Sequence, residues 1–107
     1  MKRLDKALAM LGLCMKAGKL VSGEFSAMDA IKSRKAFLTV MASDASENTK
    51  KRFRDKCAYR GIPIVEYGDK EALGRAVGKE GRAVLAILEE GFATNILHIM
   101  EVNGCQK

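Results

Sequence analysis

Two glycine-bearing segments hold the residues best suited to do chemistry. The first, A-G-K-L-V-S-G-E-F-S-A-M-D-A-I-K, runs from Ala17 to Lys32 and carries Lys19, Gly23, Glu24, Phe25, Ser26, Asp29 and Lys32. The second, G-K-E-G-R, carries Gly78, Lys79, Glu80, Gly81 and Arg82. Ser22 and Gly23 are candidate caps for a helix that starts there, and Glu24 suits its first turn. A helix start presents unpaired backbone N–H groups and a partial positive charge, so it can hold an anion such as phosphate. Lys19, Lys32, Lys79 and Arg82 add cations that could grip a phosphate backbone if the two segments meet at one edge of the fold. Phe25 could stack on a base, although its spacing with Met28 and Ile31 makes core packing the favoured expectation.

Other chemistries find little support. His98 is the single histidine, and no Ser/His/Asp or Cys/His set assembles around it. Glu89-Glu90 reads as the acidic start of a helix rather than a catalytic pair. The segment from Gly74 to Arg82 differs from a nucleotide-hydrolysing phosphate loop. Such a loop needs four residues between its glycines and Ser or Thr after the lysine; here Gly74 and Gly78 are too close, and Glu80 follows Lys79. Cys14, Cys57 and Cys105 contain no C-x-x-C pair, which disfavours zinc and disulfide scaffolds and suits free thiols in a reducing cytoplasm. No enzyme activity, metal or cofactor is expected.

Charge points toward a polyanion. The net charge is +6, and residues 32–60 hold nine Lys/Arg against three Asp/Glu, so the middle of the chain carries the whole excess. No helix-turn-helix or zinc pattern is visible. Bent RNA offers shape and unstacked bases to short loops, which favours RNA over duplex DNA. A merely solvated lysine-rich helix is the competing reading of the same charge.

The elements that must position these residues follow from periodicity. Leu4, Leu8, Leu11 and Met15 mark a first helix ending before Gly18, and Leu20-Val21 a short strand. A second helix spans 23–34, with Phe25, Met28 and Ile31 as its buried face. Phe37–Ala42 is a strand covered on both faces. A third helix, opened by Asp44 with Glu47 or by Ser46 with Thr49, buries Phe53 and Cys57 and ends at Gly61. Ile62–Tyr67 forms a strand with Pro63 near its start. Asp69 caps a short helix, Ala83–Leu88 is the fourth strand, and a fifth helix starts near Glu90 or Gly91. The apolar stretch at the N-terminus faintly resembles a signal peptide but reads as the first helix. No run approaches the roughly 20 apolar residues needed to span a bilayer. Such alternation predicts one α/β domain over residues 1–107, a three-layer α/β/α sandwich with a four-stranded mixed sheet and about five helices, whose last residues fray.

Taken in order, several segments are recognisable together: Ala17–Gly23, A-I-K-S-R-K-A before the second strand, Ala42–Ala45 after it, L-G-R-A-V-G from Leu73, and A-I-L-E-E-G-F-A from Ala86. The chain resembles the ribosomal L-seven-Ae / L-thirty-e family of RNA-binding proteins, most of all its small bacterial YlxQ-type members, which S-E-N-T-K-K-R-F and D-K-C-A-Y also resemble. The resemblance implies an α/β/α sandwich, no catalysis, and binding to kink-turn RNA, ribosomal RNA included, by a cytoplasmic, ribosome-associated monomer. It implies contacts from the start of the second helix, here Gly23–Asp29, and from the loop before the last strand, here Gly78–Arg82. The chain departs from the family's G-x-N-E signature: Phe25 and Ser26 replace Asn and Glu, and Asp29 replaces a lysine one turn later. Glu24 could supply a displaced carboxylate that accepts from guanine N–H groups. A protein-interaction module that kept the fold and lost the RNA face is the alternative.

Overall fold

The computed structural model describes residues 5–104. Leu4, Cys105 and the expected fraying of the last residues lie outside them. The elements run α1 (Lys6–Lys16), β1 (Leu20–Ser22), α2 (Glu24–Lys32), β2 (Leu38–Met41), α3 (Glu47–Arg60), β3 (Ile64–Glu66), α4 (Lys70–Ala76), β4 (Val84–Ile87) and α5 (Glu90–Gly104).

The sheet order is β1-β4-β2-β3. β4 is antiparallel to both its neighbours, while β2 and β3 are parallel. It follows that β1, β2 and β3 point one way and β4 the other. The residues that leave β1, β2 and β3 therefore share one end of the sheet with the residues that enter β4. The expected meeting of the two glycine segments is a direct consequence of this topology.

Side-chain alternation splits the central strands between two cores. Leu38, Val40, Leu85 and Ile87 pack with Leu11, Cys14, Leu73, Ile96 and Met100 of α1, α4 and α5. Met41, Val84 and Ala86 pack with Ala27, Ile31, Phe53 and Cys57 of α2 and α3. All eight residues of β2 and β4 are buried, as strands covered on both faces must be. These are the three layers that alternation predicts.

Local signals explain most of the boundaries. Asp5, Ser46 and Asp69 accept from Leu8, Thr49 and Ala72 backbone N–H groups at 3.1, 3.1 and 2.8 Å. Gly61 takes the left-handed conformation that closes α3, with φ of 69°. Several elements are shorter than expected, β4 among them: it spans Val84–Ile87 rather than Ala83–Leu88. The second helix stops at Lys32, and Arg34 adopts φ of 62°. β2 begins at Leu38, leaving Phe37 exposed, and β3 begins after Pro63.

One core assignment is corrected. The buried face of α2 is Ala27, Ala30 and Ile31 with Met28 beside it, and Phe25 is 88% exposed. The spacing 25, 28, 31 misled because each three-residue step falls about 60° short of a full turn, which puts Phe25 about 120° away from Ile31.

Candidate nucleic-acid interface

α2 opens on Gly23, whose φ of 97° and ψ of 156° lie in a region that glycine occupies freely and other residues do not. Its N–H donates to the Val84 carbonyl at 2.9 Å, which docks the helix start onto β4. No side chain caps α2. In contrast, Asp5, Ser46, Asp69 and Glu89 accept from the first turns of α1, α3, α4 and α5. Ser22, an expected cap, instead ends β1. The first N–H groups of α2 thus lack the side-chain partner that the other four helices have, which leaves them able to meet an external acceptor.

The Gly78–Arg82 loop reaches the same place. Arg82 Nε donates to Ser22 Oγ at 3.2 Å, and its Nη1 donates to the Glu80 and Gly81 carbonyls at 2.9 and 3.1 Å. The guanidinium therefore braces its own loop and ties it to β1. Backbone bonds fix the rest: Lys79 N–H to the Gly74 carbonyl at 2.8 Å and Arg82 N–H to the Lys70 carbonyl at 3.0 Å. Gly74 allows this closeness, since a Cβ there would stand 2.8–2.9 Å from Glu80 and Gly81 backbone atoms. Gly78 turns with φ of 74°. Lys79, Glu80 and Gly81 are exposed.

Beside the helix start, an open hollow is lined by Glu24, Phe25, Met28, Asp29, Lys32 and Arg52. Arg52 Nη2 donates to Glu24 Oε1 at 2.9 Å, and Thr49 Oγ1 lies 3.4 Å from both Glu24 oxygens. The carboxylate considered for guanine recognition is thus already held by α3. Phe25, Ser26 and Asp29 are exposed along the helix.

Two expected residues stand apart from the meeting point. Lys19 precedes β1, and its carbonyl accepts from the Leu88 N–H at 2.8 Å, which places it at the opposite end of the sheet. Lys32 is the last residue of α2 and reaches only the far side of the hollow. Helix and strand direction decides this: Lys19 leads into β1 and Lys32 ends α2, each at the end remote from Gly23. Sequence reasoning also missed Ser22, Thr49, Arg52 and Gly74 as supports. Their contacts join residues 25 to 60 apart, or depend on a backbone approach, and no local pattern marks either.

The basic α3 spends part of its charge internally. Lys51 pairs with Asp55 at 2.9 Å, Lys50 lies 3.5 Å from Glu66, and Arg54 bonds to Glu66. Burial pushes the Cys14 thiol from 9.0 to about 11, with Glu89 adding to the rise, and Cys14 donates to the Lys19 carbonyl at 3.2 Å. Burial also raises Cys57, against the Thr39 hydroxyl and Arg60. Such thiols are inert packing groups. His98 is exposed on α5. Among the described residues no group of His, Cys, Asp and Glu could hold a metal ion, and no helix is long and apolar enough to cross a membrane.

Comparison with known proteins matches residues 5–97 to the ribosomal protein L7Ae/L30e/S12e/Gadd45 family. The RNA-binding protein YlxQ of Bacillus subtilis (strain 168) is 38% identical over 92 residues, covering 86% of this chain and 92% of that one. YlxQ of Enterococcus faecium is 38% identical over 97 residues, covering 91% and 93%. Among solved structures, a Bacillus halodurans protein described as of unknown function superposes with a TM-score of 0.89 at 34% identity, covering 92% of this chain and 99% of that one. The Giardia lamblia 15.5kD RNA binding protein shares the fold, with a TM-score of 0.74 at 23% identity over 88% and 81% of the two chains.

Proposed function

The chain belongs to the ribosomal protein L7Ae/L30e/S12e/Gadd45 family and is not an enzyme; from that premise we propose that it binds structured RNA of the kink-turn or a similarly bent type. The bound RNA sits where α2 begins and the Gly78–Arg82 loop arrives. One observation carries this reading: the start of α2 has no side-chain cap, and a glycine-rich loop is bonded beside it, through Arg82, to Ser22 at the end of β1. Backbone N–H groups there donate to phosphate or base oxygens, Lys79 adds charge from the loop, and Phe25 offers an exposed ring to an unstacked base. Recognition differs from the family's usual pattern, because Asn and Glu are absent at 25 and 26 and Glu24 is held by Arg52. The protein acts as a single-domain monomer in the cytoplasm, associated with ribosomal or another structured RNA.

A mobility shift with a generic kink-turn, against a straight duplex of matched length, tests the reading. Preference for the kink-turn supports it. Equal or absent binding to both favours the second reading, a protein-interaction module, for which the exposed Phe25 ring in the hollow would be an apolar anchor.

A further inference from the structure

The opposite end of the sheet carries its own cationic hollow. α2 and α3 each run back from the end of one strand to the start of a parallel one, so their C-termini lie together there. The hollow is lined by Arg34, Phe37, Arg60, Ile62 and Pro63. Arg34 is the one non-glycine residue with positive φ among those described, at a position past the helix end where glycine would be unstrained. An arginine kept in that conformation points to a use for its side chain. Arg60 donates from Nη1 to the Lys56 carbonyl at 3.1 Å, yet its Nε is shielded from water and has no partner among the described residues. Phe37 is 45% exposed although the strand it leads into is wholly buried. Lys32, Lys35 and Lys56, within four residues of Arg34 or Arg60 in the chain, form no ion pair among the described residues, unlike Lys50, Lys51, Arg52 and Arg54 earlier in α3.

We propose that this hollow is a second RNA-contact site that takes an unpaired strand, with a backbone phosphate between Arg34 and Arg60 and a base against Phe37. The inference rests on the RNA-binding reading and extends it to a distinct surface. Cations beside an exposed aromatic ring are the makeup of single-strand sites, whereas a free phosphate would gain nothing from Phe37. The nine residues of α2 span about 13 Å, so one bent RNA with an unpaired extension can engage both ends.

The test uses two probes: a generic kink-turn, and the same kink-turn with an unpaired tail of about ten nucleotides. Fluorescence anisotropy gives affinity as a function of salt. The wild-type protein should prefer the tailed RNA by roughly tenfold. Arg34→Gly/Arg60→Gln should abolish that preference and flatten the salt slope by about 0.7, the contribution of one single-strand phosphate, for the tailed RNA alone. Phe37→Leu should lose part of it. Arg34→Gly by itself keeps the fold, because glycine adopts the native φ freely, so a reduced tail preference in that variant is a binding effect. Kink-turn binding with no tail preference in the wild type, or with one that survives the double variant, overturns this inference and leaves the proposed function standing. Absence of binding to either probe removes both.

Discussion

Arg52 of α3 and Glu24 of α2 form an ion pair of 2.9 Å across the groove between their helices, with Thr49 as a further neighbour of the carboxylate. The pair is half-exposed, so it contributes only about 0–1 kcal/mol to stability. Its consequence is electrostatic: it neutralises a carboxylate at the mouth of the candidate RNA interface. Arg52→Ala should change urea stability by less than about 1 kcal/mol yet weaken RNA binding, because Glu24 is left uncompensated. Adding Glu24→Ala should recover part of that loss. A larger binding loss from Glu24→Ala alone would instead identify Glu24 as an RNA-reading group.

The exposure of Phe25 separates packing from recognition. Phe25→Ala should leave the melting temperature nearly unchanged, since the ring is 88% exposed. If the ring stacks on a base, affinity falls by about 1–3 kcal/mol in the anisotropy assay. Asp29→Lys, on the same hollow, should tighten binding to a generic kink-turn by about 1 kcal/mol at ordinary salt. Indifference of every RNA to both changes would remove α2 from the interface.

Lys79 and Arg82 should behave differently although they share a loop. Lys79→Ala should reduce RNA affinity and the salt slope with no loss of stability. Arg82→Ala removes bonds to Ser22, Glu80 and Gly81, so it should also lower stability by about 1 kcal/mol. Equal effects on folding would mean that the bracing bonds contribute nothing.

Gly74→Ala tests the support of that loop from beneath. The new Cβ would meet backbone, not a flexible side-chain tip. Chemical denaturation should show a loss of about 1–3 kcal/mol, and RNA binding should weaken because Lys79 and Arg82 move. Gly18→Ala is the control: it has open space but a φ of 74°, so it should cost stability without displacing the loop.

Cys14 gives a pH signature. Its thiol titrates at 9.0 when unfolded and at about 11 in the fold. The folded state therefore keeps the proton longer, and the stability this contributes is complete below pH 9 and is lost as pH rises toward 11. Alkaline melts should show this loss, and Cys14→Ala should reduce it. In a Cys105→Ser background, neither Cys14 nor Cys57 should react with a thiol reagent at neutral pH before unfolding.

The local code in this sequence determined most of the secondary structure. Caps at Asp69 and Ser46, the glycine stop at Gly61 and the apolar runs around β2 and β4 are short-range signals, each legible within a few residues. Alternation of helices and buried strands then left few architectures, and the order of the family-like segments narrowed them to one. Tertiary structure decided what faces what. The exposure of Phe25 could not be read from spacing three, because the helical period drifts. The antiparallel direction of β4 brought the Gly78–Arg82 loop to Gly23 and left Lys19 at the far end. Glu24 is a free acceptor in the sequence and a paired one in the fold, since Arg52 reaches it only when α2 and α3 pack side by side. Contacts between residues so far apart in the chain depend on strand direction and helix packing, which no local pattern encodes.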